Sequence, residues 1–241
     1  MIEQFVCLSG LPRTGSTLLS AILSQNPLIH AEGNSAVCQL MWDMQQSIAT
    51  SARQQLAANR RYNASDDFCS AIPAIYYKNV KKPVIVDKCR SWTLPTNLEM
   101  LQRYVTASPR IIVLERPVPE IVDSFVRLRK ANGWTKDLKR GLLDAASEPI
   151  MRSIEGVKFA RKSSADWFLF LTYEQLTTDT QETLDKIYKF CGWHPFKHDL
   201  ENIVNNHPED DEIYGMKGQH DVRSTISPRV LAGKSLTNER A

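Results

Sequence analysis

Four short apolar runs along the chain predict buried β-strands, and segments with helical spacing separate them. The strands are predicted at Phe5–Ser9, Val84–Asp87, Arg110–Glu115 and Trp167–Thr172. Helices are predicted at Thr17–Ser24, Ser35–Ala58, Pro95–Ala107, Pro117–Lys130, Lys136–Arg161 and Asp179–Cys191. Strands that alternate with helices favour an α/β fold, a three-layer sandwich in which helices cover both faces of a central parallel sheet.

The chain is long enough to form one complete hydrophobic core. We expect its 241 residues to form a single domain over positions 1–241. The end of the chain differs in pattern, because residues 205–241 are polar and weakly periodic. This stretch is expected to be a loop-rich segment that lies over the active site at the edge of the sheet.

The segment after the first strand has the glycine spacing of a phosphate-binding loop. Gly10 and Gly15 are placed as in the motif G-x-x-x-x-G-K-[ST], where backbone N–H groups and a helix N-terminus surround anionic oxygens. Ser16 stands where that motif has its lysine, and a cation lies earlier, at Arg13. The loop therefore predicts a P-loop-like anion site but disfavours a kinase or ATPase that depends on the usual lysine and magnesium.

Cationic residues follow three of the predicted strands. Arg13, Lys88 and Arg116 each come at or just after a strand end. Because ligands of parallel α/β sheets bind outside the carboxyl ends of the strands, we expect the three side chains to converge. Ser124 lies on the helix that begins near Pro117, on the second turn after Arg116, so it could bind the same anion as that arginine.

The overall composition narrows the choice of partners and location. A net charge of +3 is too small to argue for a nucleic-acid partner. No apolar run approaches the length of a membrane span, and the N-terminus lacks a signal-peptide pattern, so we expect no membrane span and a cytoplasmic location. The five cysteines are scattered without C-x-x-C pairs, which favours reduced thiols over disulfides or a zinc site.

Two of these segments resemble the cofactor motifs of a known family. The loop Leu11-Pro-Arg-Thr-Gly-Ser-Thr-Leu18 resembles the 5′-phosphosulfate loop of sulfotransferases that use 3′-phosphoadenosine 5′-phosphosulfate (PAPS), and Leu114–Ser124 resembles their 3′-phosphate motif. The arginine in the first loop is similar to that of the tyrosylprotein sulfotransferase branch. Shorter matches follow in the family's order at Asp87-Lys88, Tyr173–Leu176 and Val222–Thr225.

The resemblance implies a role for each matching residue. The 5′-phosphosulfate would be held by Arg13, Thr14, Gly15, Ser16 and Thr17, and Arg13 would also lie near the transferring sulfuryl group. Arg116 and Ser124 would bind the 3′-phosphate, and Tyr173 would lie beside the adenine. Lys88 and Ser224 would stabilise the charge on the bridging oxygen as the product, adenosine 3′,5′-bisphosphate (PAP), leaves. No metal is required for this chemistry, and the sequence lacks a convincing magnesium or zinc cluster.

The acceptor hydroxyl must lose its proton, which requires a base near the loop. Glu32 is the candidate, since it lies in the segment where tyrosylprotein sulfotransferases carry their catalytic glutamate, although the register requires a small deletion. His30 is the rival base, because imidazole titrates near neutral pH and serves this role in other sulfotransferases.

The sequence thus predicts a PAPS-dependent sulfotransferase that acts on an acceptor hydroxyl by in-line transfer. The acceptor is left open between small molecules and peptides, and the oligomeric state is also open. One alternative is a P-loop-type kinase for a small molecule or nucleotide, which would use ATP and for which Asp87 is the only fair magnesium ligand. A further alternative is a binding protein that has kept the anion site but lost turnover.

Overall fold

The computed structural model describes residues 2–144, 150–163 and 166–226. Five strands occur in these ranges: β1 (Gln4–Gly10), β2 (Ile29–Asn34), β3 (Val84–Lys88), β4 (Ile111–Glu115) and β5 (Phe168–Thr172). The α-helices are α1 (Ser16–Leu23), α2 (Val37–Ala49), α3 (Arg53–Ala58), α4 (Ala64–Tyr76), α5 (Pro95–Tyr104), α6 (Val118–Ala131), α7 (Ile150–Lys162), α8 (Tyr173–Thr178) and α9 (Thr180–Cys191). A short 3₁₀ helix covers Arg90–Thr93.

The five strands form one parallel sheet in the order β2-β3-β1-β4-β5. The strand β1 is central, with β3 on one side and β4 on the other, so the strand order reverses at its carboxyl end. In open α/β sheets a reversal of this kind leaves a crevice above the sheet in which ligands bind. The loop after β1 therefore lies where the fold itself provides a site.

Helices cover both faces of the sheet, which confirms the α/β sandwich. Alternate residues of β1 belong to two separate cores: Phe5 and Cys7 pack with helices α2, α4, α5, α6 and α7, whereas Val6 and Leu8 pack with α1, α8 and α9. Successive side chains of a strand point to opposite faces, so a strand apolar at every position must be buried on both. Four of the five cysteines are buried in these cores, and none forms a disulfide.

Two elements lack the patterns from which the others were predicted. The strand β2 contains His30, Glu32 and Asn34, and it lies at the sheet's edge, where it pairs only with β3. His30 is buried and packs its ring against Tyr77, but the polar residues interrupt the strand, so no apolar run marks it. The helix α4 contains Pro73, a residue that usually ends a helix in a sequence-based assignment.

Two predicted helices are shorter than expected. The segment predicted as one helix over Ser35–Ala58 is divided into α2 and α3 by turns at residues 50–52. The prediction of a helix over Lys136–Arg161 is wrong at its start, because residues 136–144 form turns and bends, and the described helix α7 begins at Ile150. Asp137 and Gly141 adopt positive φ angles of 53° and 76°, which a right-handed helix cannot contain. Residues 145–149 lie outside the described part of the chain.

Residues 205–226 contain neither helix nor strand, as predicted for the start of the polar segment. The rest of that prediction falls on residues 227–241, which lie outside the described ranges. That the chain forms a single domain stays a prediction. In the ranges that the structure describes, no helix has both the length and the hydropathy needed to cross a membrane.

Candidate active site

The opening loop is shaped by its backbone. Gly10 has a φ of 120°, and a Cβ at this position would lie 2.1 Å from the carbonyl oxygen of Leu114 in β4. Gly15 has a φ of 80° and caps the start of α1, and a Cβ there would lie 3.0 Å from the Tyr173 ring. Only glycine fits both the conformation and the space at these two positions. The loop therefore lies directly against the ends of β4 and β5.

This close approach brings the two predicted phosphate motifs into contact. The Nε of Arg13 donates a hydrogen bond of 3.1 Å to Ser124 Oγ, and its guanidinium also donates to the carbonyl oxygen of Gln219. The Arg116 guanidinium donates in return to the backbone carbonyl oxygen of Arg13, at 2.8 Å. The Arg13 side chain thus lies between the loop and Ser124, the last residue of the predicted 3′-phosphate motif.

Three groups hold the Arg116 guanidinium: the Arg13 carbonyl oxygen, the Glu120 carboxylate and the Tyr173 ring. Arg116 is 8% exposed, its Nε forms a 3.0 Å ion pair with Glu120, and its guanidinium carbon lies 4.1 Å from the centre of the Tyr173 ring. Tyr173 begins α8, where Thr172 and Gln175 form a capping box. The capped helix end fixes the tyrosine ring, and the ring in turn orients the guanidinium by a cation–π contact.

Lys88 ends β3 and is 4% exposed. Its Nζ donates to the hydroxyl of Thr17, on the first turn of α1, at 3.2 Å, and it forms a 3.4 Å ion pair with Glu209. Burial lowers the pKa of Lys88, an effect that the Glu209 carboxylate only partly offsets. The ammonium group is therefore aimed at the start of α1, as a group that stabilises negative charge there must be.

These side chains surround one cavity of about 630 Å³. Of the predicted residues, it is lined by Arg13, Gly15, Ser16, Thr17, Lys88, Arg116, Ser124 and Tyr173. Arg90, Arg127 and Arg223 also line it, so that six cationic side chains face the cavity against the single carboxylate of Asp221. The six cationic side chains and the one carboxylate are counted among residues 2–144, 150–163 and 166–226. The arrangement favours a ligand that carries several negative charges.

The pKa values of Arg13 and Arg116 are both lowered, by burial and by the neighbouring positive charges. Burial, together with the neighbouring Arg116, lowers the pKa of Arg13. Burial is also the main cause of the lowered pKa of Arg116. A buried cation beside another cation gains stability when an anion binds between them, because the anion opposes both the desolvation and the repulsion.

Four of the residues considered from the sequence do not line the cavity. The Thr14 hydroxyl is buried and donates to the carbonyl oxygen of Leu11, so its side chain braces the loop. Ser224 is exposed, and its backbone carbonyl accepts a hydrogen bond from Ile203 N. Glu32 and His30 lie on the edge strand β2, where Glu32 Oε2 lies 3.0 Å from His30 Nε2. The cavity therefore gives no support to either predicted base.

Asp87 is not placed to hold a metal ion. It is 0% exposed, and its carboxylate accepts hydrogen bonds from Ser35, Tyr77 and Trp92, at 2.5, 2.8 and 2.7 Å. Both oxygens are thus used to join β3 to the surrounding helices. Within the described part of the chain, no group of three or more His, Cys, Asp and Glu side chains suits a metal ion.

Several residues that line the cavity were not singled out from the sequence, among them Arg90, Arg223 and His220. Arg90 comes two positions after Lys88, so the rule that ligands bind at strand ends could have found it. Arg223 and His220 lie in the polar segment after residue 205, where no periodic pattern gives a signal. Only the short resemblance at Val222–Thr225 pointed to that neighbourhood.

Comparison with solved structures finds the same architecture in known sulfotransferases. The sulfotransferase domain from the Synechococcus PCC 7002 olefin synthase aligns with a TM-score of 0.63 and 21% sequence identity, over 100% of this chain and 90% of that one. A sulfotransferase from Alicyclobacillus acidocaldarius aligns with a TM-score of 0.55 and 12% identity, over 89% of each chain. The sulfotransferase domain from the curacin biosynthetic pathway gives 0.53 and 19%, over 82% and 76%. These likenesses concern the fold.

Sequence comparison gives the family. A search of curated protein sequences finds no significant match. A model of the sulfotransferase family matches residues 6–197, a range that begins in β1 and runs through the loop, both phosphate motifs and α9. With that match over most of its length, and with the anion cavity at the place where the fold provides one, the chain belongs to the sulfotransferase family.

Proposed function

We propose that this protein transfers a sulfuryl group from PAPS to the hydroxyl group of an acceptor. The observation that carries the proposal is the single cavity in which the loop after β1 and the Arg116–Ser124 motif meet. Sulfotransferases generally use PAPS, and its product PAP carries phosphates at both the 3′ and 5′ positions. A cavity with six cationic side chains and a volume of about 630 Å³ fits such a ligand in charge and size.

The residues that would hold the nucleotide divide into two groups. Gly15, Ser16 and Thr17 offer backbone N–H groups and hydroxyls at the start of α1, where the helix dipole also favours an anion. At the other end, Arg116 and Ser124 would bind the 3′-phosphate. Tyr173 lies beside Arg116 and would supply a flat surface for the adenine.

The chemistry asks the protein to stabilise charge on a leaving group. PAPS supplies the activated sulfuryl group when it is bound. Lys88 would then stabilise the negative charge that develops on the bridging oxygen, as a donor in an oxyanion hole does, and Arg13 would neutralise the transferring group. Ser224 is the predicted second donor, and its chain neighbours Arg223 and Thr225 both line the cavity.

The kinase alternative is weaker than it was from the sequence. It required Asp87 as a magnesium ligand, but that carboxylate is fully buried, accepts three hydrogen bonds within the fold and does not line the cavity. The loop also carries no lysine at the position of Ser16. The alternative of a binding protein without turnover depends on activity and is addressed by the experiment below.

The test is a transfer assay without metal. The protein is incubated with PAPS and EDTA against a panel of phenols, alcohols and tyrosine peptides, and the formation of both PAP and a sulfated product is followed by mass spectrometry. We expect equal amounts of the two products with at least one acceptor. Tight binding of PAP with no sulfated product would favour the binding protein, and phosphate transfer from ATP with magnesium would favour the kinase.

A further inference from the structure

The cavity contains a histidine that is held by an aspartate in the geometry of a general base. His220 and Asp211 both belong to the segment after residue 205, and their side chains are 9% and 10% exposed. Asp211 Oδ1 accepts a hydrogen bond of 2.5 Å from His220 Nδ1, while its other oxygen accepts from the backbone N–H of His220 at 2.9 Å. One carboxylate thus fixes both the position and the ring orientation of the histidine.

This pairing determines which ring nitrogen is available. Because Asp211 accepts from Nδ1–H, the neutral ring carries its lone pair on Nε2. The side-chain amide nitrogen of Gln219 lies 3.4 Å from Nε2, a distance too long for a strong hydrogen bond. His220 lines the cavity together with Lys88, Ser16 and Thr17. An acceptor hydroxyl beside the loop would therefore meet an imidazole that is ready to take its proton.

The position of Glu209 indicates that His220 Nε2 lies near Lys88 Nζ. The same carboxylate oxygen, Oε2, lies 3.6 Å from His220 Nε2 and 3.4 Å from Lys88 Nζ. Both nitrogens therefore lie close to the same carboxylate oxygen beside the cavity. In-line transfer needs a base on the acceptor side and a cation on the leaving-group side, and these two residues supply one of each.

We infer that His220, oriented by Asp211, is the general base of the proposed transfer. The inference rests on the proposed function. In the step, the acceptor O–H bond breaks and its proton moves to Nε2. The acceptor oxygen forms a bond to sulfur, and the bond from sulfur to the bridging oxygen breaks with its electron pair left on the phosphate. The histidine then returns its proton to solvent.

The other candidates for this role are placed less well. Glu209 is held by Lys88, by Asn34 at 3.0 Å and by Tyr214 at 3.4 Å. Although burial raises the pKa of Glu209, Lys88, His220 and Asn34 together lower it below its ordinary value. A carboxylate that is so well stabilised is a weak base. Glu32 and His30 contact each other and do not line the cavity.

The protonation state of His220 agrees with the role. Burial lowers its pKa from the ordinary 6.5, and Lys88 adds to this, so that together they outweigh the carboxylates of Asp211 and Glu209. The Tyr214 ring packs against the imidazole at 5.6 Å. The histidine is therefore neutral at neutral pH, and transfer should rise with pH through a pKa below 6.5.

The first test compares acceptors of different acidity. For His220→Gln we expect transfer from PAPS to phenol to fall roughly 10²–10⁴-fold, the usual contribution of a general base. Transfer to p-nitrophenol, which is largely ionised without help, should fall much less, and PAP affinity should be unchanged. The exposed His194→Gln serves as the control.

A second test reads the histidine itself and does not require activity. The pKa of the His220 ring is measured by NMR in the ligand-free protein and in Asp211→Asn, with the exposed Asp210→Asn as the control. Loss of the Asp211 charge should lower this pKa, and the acid limb of phenol transfer should move to lower pH with it.

The outcomes separate the two proposals. Wild-type transfer to phenol by His220→Gln, or a loss of transfer confined to Glu32→Gln, would overturn the dyad and leave the sulfotransferase proposal standing. An unchanged His220 pKa in Asp211→Asn would overturn the orienting role of the aspartate. Failure of the unaltered protein to transfer sulfate to any acceptor would overturn both proposals.

Discussion

The loop of residues 10–17 and the segment of residues 205–226 line the same cavity but are held in place differently. In the loop, conformation comes from the backbone: Gly10 packs on β4, and Gly15 lies under the Tyr173 ring. The segment 205–226 has no helix or strand and is joined to the site by side chains, among them Glu209 to Lys88 and to Asn34.

The difference suggests a division of labour. Backbone N–H groups at a helix start bind any suitable anion, so the loop explains affinity for phosphate. Side chains brought from a distant segment place a base and a counter-charge beside that anion, and they explain reactivity. Variants in the loop and its partner motif should therefore change binding, whereas variants that touch the later segment should change turnover.

The largest effect is expected for Lys88→Ala. Loss of a donor aimed at the leaving group should lower turnover about 10²–10³-fold with little change in PAP affinity, because the charge it stabilises develops only during transfer. Turnover with PAPS and PAP titration are the two measurements, and exposed Lys81→Ala is the control.

Removal of Lys88 also leaves Glu209 buried without its partner. The double variant Lys88→Ala with Glu209→Gln separates catalysis from folding, since it removes both charges. A defect of Lys88→Ala that lies only in PAP affinity would contradict the assigned role and weaken the division between the two regions.

The next effect is expected for Arg116→Ala, which should weaken PAP binding by about 1.5–3 kcal/mol, the worth of a charge-assisted hydrogen bond. Binding of adenosine 5′-monophosphate, which lacks the 3′-phosphate, should change far less. Arg110→Ala is a matched control, because Arg110 precedes β4 and Arg116 follows it. Equal losses for both nucleotides would remove the 3′-phosphate assignment.

A smaller effect is expected for Gly15→Ala, which tests the backbone origin of the loop. Its φ of 80° is matched by the 81° of Gly133, but a Cβ at Gly133 meets nothing within 4 Å. Both alanine variants should lose about 1–2 kcal/mol of unfolding free energy for the left-handed conformation. Only Gly15→Ala should also lose PAP affinity, because its Cβ displaces Tyr173. Calorimetry of unfolding and PAP titration measure the two effects, and a Gly133→Ala variant with the same binding defect would refute the explanation.

The smallest effect is expected for Glu209→Gln. Without its negative charge, Lys88 no longer has a competing partner, so turnover with PAPS should rise about two- to fivefold, which corresponds to about 0.5–1 kcal/mol, the net worth of one hydrogen bond, while PAP affinity changes little. The gain should shrink at high salt, which screens the charge that was removed. Weaker PAP binding by this variant would mean that the segment 205–226 holds the nucleotide through Glu209.

The same variant has a predicted pH signature. The pKa of Glu209 is lowered from its ordinary 4.5, so its contribution to stability is present above that pH and is lost as the pH falls through the folded value. The unfolding free energy of Glu209→Gln should therefore vary less with pH below 4.5 than that of the unaltered protein. Acid denaturation followed by circular dichroism measures the difference, and identical acid limbs would show that the ion pair with Lys88 contributes nothing.

The sequence predictions succeeded where local features determine the structure and failed where contacts between separate segments do. The four strands with continuous apolar runs were predicted to within a residue or two, because burial on both faces requires such runs. The sandwich and the convergence of Arg13, Lys88 and Arg116 follow from strand ends alone. Both predictions use only local apolar runs and the rule that ligands bind at the carboxyl ends of parallel strands.

The remainder depends on contacts between residues far apart in the chain. The edge strand β2 carries polar residues and was missed, and the helix over 136–144 was wrong because Asp137 takes a left-handed conformation. Nothing local marks His220 as a cavity residue, since its partners Asp211 and Glu209 reach it through an irregular segment. The tyrosylprotein sulfotransferase branch stays a prediction, and the acceptor stays open.

The central claim is that one nucleotide joins the loop to the Arg116–Ser124 motif, and calorimetric titration in EDTA tests it most directly. PAP, adenosine 5′-monophosphate and adenosine 3′-monophosphate are compared in the unaltered protein. We expect PAP to bind at least about tenfold more tightly than either monophosphate, since each charge-assisted contact is worth about 1.5–3 kcal/mol. Binding of PAP no tighter than that of adenosine 5′-monophosphate would contradict the account.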